Sequence, residues 1–246
     1  MLIPIGDDNR GRLTTPVIVY TIIALNVVVF LMQLALGDAF TLAYAAVPYE
    51  ITNGTDLIRP VRIPGGEIPQ APGPVPIYLT IFTSMFMHGG FMHIAGNMLY
   101  LWIFGDNIED NFGHGRFLIF YLICGVAATF SQILIDPTSP IPTLGASGAI
   151  AGVLGAYLVM FPRNRVRNLL PLLYIWTVVE LPAIVVLGFW IVIQFFSQVA
   201  SISNYTAQSR GGGVAYMAHI GGFLAGVLLS FFFRRKRKPH YHYYDQ

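Results

Sequence analysis

The chain has 246 residues, 55% of them hydrophobic and 11% charged, with a formal net charge of +2 and a mean hydropathy of +0.62. Soluble domains carry about 25% charged residues, so this composition excludes an ordinary water-soluble globule and points to a polytopic membrane protein, whose lipid-facing surface bears charge only at high cost. One cysteine, Cys124, excludes an internal disulfide, and within its apolar run it reads as a small buried hydrophobe.

A transmembrane helix needs roughly 20 apolar residues. The N-terminal MLIPIGDDNRGR is polar and no cleavable signal peptide is expected. The first span starts at Pro16, a good first-turn residue, and runs to about Leu36. From Gly37 to about Tyr78 the chain is rich in Pro and Gly and reads as irregular and extramembrane. LTIFTSMFMHGG (79–90) is apolar but too short to span, which suits the interface.

The second span is expected at 91–104, with GDNIEDNFGHGR as a short turn after it, and the third at 117–135. DPTSPIPTL leads into the fourth, 145–161. Residues 168–200 form too long an apolar run for one span. Glu180-Leu-Pro182 resembles a helix start, placing the fifth span at 180–200 and leaving 168–179 interfacial. The sixth runs over 214–233 and is stopped by RRKRK. The expected fold is therefore an all-α polytopic bundle of six transmembrane helices over 16–233. An N-terminal segment (1–15) and a basic tail (234–246) lie in the cytoplasm, and no soluble second domain is seen. With the N-terminus inside, all but Arg59, Arg62 and Arg210 of the 14 Lys and Arg residues are cytoplasmic, as the positive-inside rule asks.

In that topology the even-numbered spans all begin at the outer face. His93 and Asn97 open the second, Ser147 opens the fourth, and His219 lies about five residues into the sixth. Three segments thus bring polar groups to one depth on one side, which intramembrane polar residues do around a wetted internal cavity. The fourth span is short, roughly 25 Å against a hydrocarbon core of about 30 Å, so Ser147 would sit at the bottom of a depression open to water. Gly148 and Gly152 make a G-x-x-x-G in span four, and Gly222 and Gly226 make another in span six. Docking of two such stripes lets backbones approach closely and would carry the His219 imidazole to the Ser147 hydroxyl.

A serine hydroxyl attacks an amide once a base takes its proton, and a neutral imidazole can be that base. No carboxylate candidate shares their depth, so the residues read as a Ser–His dyad. An oxyanion forms and needs preorganised donors. The Ser147 N–H at a helix start is one. His93 and Asn97, spaced i, i+4 on one face, are candidates for the rest. His88 and His93 are spaced poorly for a metal site on one helix face, no H-E-x-x-H is present, and no metal is expected. Taken singly, each of these residues is more simply a packing or hydrogen-bonding group of a membrane helix.

HGGFMHIAGN (88–97), GASG (145–148) and AHIGGFLAG (218–226), in this order within a six-span chain, resemble the rhomboid family of intramembrane serine proteases over roughly residues 16–233. The resemblance implies Ser147 as nucleophile and His219 as general base. It also implies that His93, Asn97 and the Ser147 amide stabilise the oxyanion, and that His88 shapes the loop before span two. It implies single-span membrane protein substrates cut in or near the span after a small residue, no cofactor, and a gate and cap formed by the fifth span and residues 201–213. Two departures are visible. Leu79-Thr80 stands where some members carry a Trp-Arg pair. Ala151 stands where some carry a tyrosine packed on the catalytic histidine. The expected partners are such substrates and the lipid bilayer, with no nucleic acid, and the expected site is a bacterial plasma membrane. A catalytically silent relative that binds membrane proteins, and a small-solute transporter, are the competing functions.

Overall fold

The computed structural model describes residues 3–63, 66–172, 175–203 and 214–235. Strand β1 (Ile3–Asp7) precedes the long apolar helix α1 (Val17–Leu36). Two short helices follow, α2 (Asp38–Tyr44) and α3 (Pro48–Asn53), then a hairpin of β2 (Val61–Ile63) and β3 (Gly66–Ile68). A run of 3-10 and α turns over 77–86 contains α4 (Thr80–Thr83). Next come α5 (Phe91–Phe112), α6 (His114–Ile135) and α7 (Ser147–Met160). An antiparallel pair, β4 (Arg165–Leu172) and β5 (Ile175–Pro182), leads to α8 (Ala183–Ser203) and α9 (Tyr216–Phe233).

The molecule is mostly helical, and four helices are long and apolar enough to cross a membrane: α1, α6, α8 over 183–200, and α9. Rows of exposed apolar residues on them, such as Val28 and Leu31 of α1 and Phe195 and Phe196 of α8, suit contact with lipid. Helix α7 has 14 residues, roughly 21 Å at 1.5 Å per residue. It forms the centre of the bundle, and every residue from Gly148 to Tyr157 is buried. Helices α5, α6, α8 and α9 pack around it.

Three sequence expectations are corrected. GDNIEDNF is not a turn: α5 continues to Phe112, and Gly113, at φ +81°, ends it. The acids there have work to do. Pro16 gives the start of α1 no side-chain cap, and α5 supplies one from outside. Glu109 accepts hydrogen bonds from Ile18 N–H (2.9 Å) and Val19 N–H (2.8 Å). Asp110 accepts from Leu13 and Thr14 N–H, and Arg12 pairs with Asp106 at 2.6 Å. Carboxylates at a helix N-terminus satisfy orphan donors and oppose the helix dipole favourably.

Second, 168–172 and 175–179 are antiparallel strand, with Arg167 opposite Glu180 and Asn168 opposite Val179, and β1 completes a three-stranded antiparallel sheet in the order β1-β4-β5. Glu180, Leu181 and Pro182 end β5 and do not start a helix. The β-branched run Thr177-Val178-Val179 favours a strand, and α8 begins only after Pro182. Its first donors are taken by the turn between α7 and β4, Ala183 N–H to the Asn164 carbonyl at 2.9 Å and Ile184 N–H to the Pro162 carbonyl at 3.0 Å. The bundle therefore carries strands that an all-α reading did not include. Third, 37–78 is not wholly irregular, since it holds α2, α3 and the β2–β3 hairpin. Ala46 pairs with Thr143 through two backbone hydrogen bonds, pinning this segment to the loop before α7.

Candidate active site

Ser147 is the first residue of α7 and His219 lies in the first turn of α9. What brings them together is the approach of the two helix backbones. A Cβ built on Gly222 would collide with the Gly148 carbonyl, and one on Gly226 with the Gly152 carbonyl. A Cβ on Gly148 would strike Ala128 of α6, and one on Gly152 would strike Cys124, also of α6. All four glycines therefore sit at crossings with no room for a methyl group. At the end of this seam the Ser147 Oγ lies 2.8 Å from His219 Nε2. The other ring nitrogen, Nδ1, lies 2.7 Å from the Gln194 side-chain carbonyl on α8.

A neutral imidazole has one N–H and one lone pair. Because Gln194 Oε1 can only accept, Nδ1 donates to it, and Nε2 is left to accept from the Ser147 hydroxyl. Trp190, one helical turn before Gln194, lies over the same imidazole, with ring centroids 5.8 Å apart and planes at 36°. Sequence reasoning missed both residues. Trp190 covers the imidazole in a chain that has Ala151, fully buried, where some rhomboids have tyrosine.

His93 and Asn97 lie one turn apart on α5, and His93 reaches the Gly145 backbone beside Ser147. Asn97 is buried, and among the described residues its Nδ2 has no hydrogen-bond partner, which leaves a strong donor free. His93 Nδ1 accepts from Gly89 N–H at 3.3 Å, which puts the proton on Nε2. Gly145 marks where the groups converge. A Cβ there would lie 3.0 Å from His93 Nε2 and 3.5 Å from Ser147 Oγ. Its φ of +133° also favours glycine, and its N–H donates to the Ser84 carbonyl at 2.9 Å.

The loop ahead of α5 is held by Gln33 of α1, a third residue sequence reasoning passed over. Its Nε2 donates to the His88 carbonyl at 3.0 Å and its Oε1 accepts from His88 N–H at 2.9 Å. The His88 ring meets the His93 ring edge-on at 5.2 Å. Thr80 is buried and donates to the Ile77 carbonyl, while Leu79 is half-exposed. Residues 204–213, the greater part of the expected cap, lie outside the described residues, as do Arg210 and the tail beyond Arg235. Among the described residues, no group of three or more His, Cys, Asp or Glu side chains is gathered as a metal site would need.

Residues 77–236 match the family model of the rhomboid domain. The chain belongs to the rhomboid family. Among its relatives are the rhomboid protease GluP of Bacillus subtilis, 35% identical over 61% of this chain and 25% of that protein. Rhomboid protein 1, mitochondrial, of Saccharomyces cerevisiae is 32% identical over 63% of this chain and 41% of its own length. The putative rhomboid protease YdcA of Bacillus subtilis is 29% identical over 65% and 70%. The chain thus spans well under half the length of GluP and of the yeast protein. Together with the apolar helices, membership makes this rhomboid a multi-pass membrane protein.

Proposed function

We propose that this rhomboid is a serine endopeptidase that hydrolyses peptide bonds in or near the transmembrane segments of single-span membrane proteins, using Ser147 and His219 and no cofactor. The observation that carries the reading is the 2.8 Å contact between Ser147 Oγ and His219 Nε2 with Nδ1 already engaged. As the hydroxyl oxygen bonds to the scissile carbonyl carbon, its proton passes to Nε2. The carbonyl oxygen becomes an oxyanion beside the Asn97 amide, the His93 Nε2–H and the unsatisfied N–H of Ser147. Collapse breaks the C–N bond, and the amine leaves with the proton from His219. Water, activated by the same imidazole, then frees the acyl group from Ser147.

The topology that serves this chemistry has six spans, with α5 and α7 joining the four long apolar helices. Both termini and the three-stranded sheet lie in the cytoplasm of a bacterial cell, and the Ser147 end of the bundle faces outward. Supporting it, Arg10, Arg12, Arg163, Arg165, Arg167, Arg234 and Arg235 fall in or next to segments at the sheet end. The short α7 keeps Ser147 below the outer surface, where a water-filled hollow supplies the second reactant.

Purified protein in detergent, given a labelled single-span substrate, tests the reading. Wild type is expected to cleave, and Ser147→Ala and His219→Ala to leave the substrate intact. A fluorophosphonate probe should label wild type at Ser147. Equal cleavage by Ser147→Ala would remove the nucleophile from the mechanism.

A further inference from the structure

We infer that Gln194 is the third, positioning member of this site, its side-chain carbonyl holding His219 from α8 in the tautomer that accepts the serine proton. The inference rests on the reading of Ser147 and His219 given above. Gln194 is buried within an otherwise apolar stretch, IVIQFF. A polar side chain at that depth is costly without a partner, and its partner is His219 Nδ1 at 2.7 Å. Buried residues Ala183, Val186 and Leu187, then half-buried Trp190, then Gln194, follow one another at helical spacing along the inward face of α8. The amide is therefore aimed into the site by the packing of its own helix.

In Ser–His–Asp triads a carboxylate fixes the histidine tautomer, and here an amide takes that place. The consequence is specific. An amide orients the ring as an acceptor but brings no negative charge to the imidazolium that forms during attack. Without it, Nδ1 and Nε2 compete for the proton, and the fraction of protein with a bare Nε2 falls. Among the described residues His93 on α5 is the titratable group whose charge acts on His219, and the neutral Gln194→Leu change adds no charge that would shift it.

Three variants separate the outcomes: Gln194→Leu, which cannot accept; Gln194→Glu, which accepts and is anionic; and Ser147→Ala as the blank. We expect Gln194→Leu to lower kcat and the rate of fluorophosphonate labelling by roughly three- to tenfold, the worth of one neutral hydrogen bond, with KM and melting temperature close to wild type. Gln194→Glu should regain most of the rate at alkaline pH, with the acid limb of its pH–rate profile moved to higher pH. Wild-type kcat in Gln194→Leu would overturn the inference. So would a loss that Gln194→Glu shares at every pH, because an acceptor of the same shape would then fail to replace the amide and hydrogen-bond acceptance from Nδ1 would not be what matters. If wild type and Ser147→Ala are equally inactive or equally active, the protease reading itself fails, an outcome distinct from either.

Discussion

Asn97 carries a buried side-chain amide whose N–H pair has no acceptor among the described residues. A buried unpaired donor costs about 1–3 kcal/mol, a cost that the proposed mechanism recovers when the oxyanion forms beside Asn97. Such a donor strengthens its bond in the transition state more than in the ground state, which is what lowers a barrier. Asn97→Ala is therefore expected to lower kcat by roughly 10²–10³-fold, the scale seen for a lost oxyanion donor, with little change in KM. Removing the unpaired group should leave the melting temperature level or higher. Steady-state kinetics and a thermal melt on the same preparation check both halves. A fall in KM-related binding with unchanged kcat would place Asn97 in substrate binding instead.

Among the elements, the α7–α9 pair sets the geometry of the site because the two backbones touch along Gly148, Gly152, Gly222 and Gly226. Gly226→Ala must push α9 away from the Gly152 carbonyl, since the obstacle is backbone and cannot rotate aside. Overpacking of this kind costs about 1–3 kcal/mol. The variant is expected to melt lower than wild type and to lose cleavage by more than its stability loss explains, because His219 is seven residues up the same helix. Glu109→Ala acts at the opposite end. It strips the Ile18 and Val19 amides of their shared acceptor, and loss of a cap costs about 0.5–2 kcal/mol. That variant should melt lower while keeping its rate per folded molecule.

The glycine stripes were legible in the sequence because their spacing of four can serve little except helix contact. Ser147, His219, His93 and Asn97 were legible because each interrupts an apolar run at a shared depth; the structure pairs Ser147 with His219 and brings His93 beside Ser147 at Gly145, while Asn97 lies one turn beyond His93 on α5. Gln194 also interrupts an apolar run, but it stands alone, with no second residue at a fixed offset to say what it faces. The strands were illegible for a different reason. LLPLLYIWTVVELP (169–182) is apolar throughout, and such a run has no period to separate strand from helix. Its β-branched residues and flanking prolines were the available signal. The extent of α5 hid behind Asp106, Glu109 and Asp110, which look like a turn until their spacing of three and four is read as one helix face turned toward α1.

At the scale of the whole molecule, the N-terminal strand ties the bundle together through one carboxyl group. Asp7 accepts from Asn107 of α5 at 2.9 Å and from the Tyr157 hydroxyl of α7. Burial, opposed by the Tyr157 hydrogen bond and helped by nearby Asp106, pushes its pKa up to about 6 from an ordinary 3.8. A carboxyl raised in the folded state favours folding while protonated. Its contribution is complete below about pH 4 and is lost as pH rises through about 6. The protein should thus gain about 1–3 kcal/mol from this site on going from pH 7.5 to 4. Asp7→Asn should melt higher than wild type at pH 7.5 and show a flatter dependence of melting temperature on pH. Equal slopes for the two proteins would mean that Asp7 titrates alike in both states.

Helix α8 is the least buried of the four long apolar helices, yet it contributes Trp190 and Gln194 to the imidazole. Its outer side exposes Phe189, Val192, Phe195 and Phe196, an apolar face suited to acyl chains. If His219 is the base proposed above, lateral pressure on α8 in a bilayer would bear directly on its orientation. Turnover should rise and fall with bilayer thickness and fluidity even when the amino-acid sequence and the substrate stay the same.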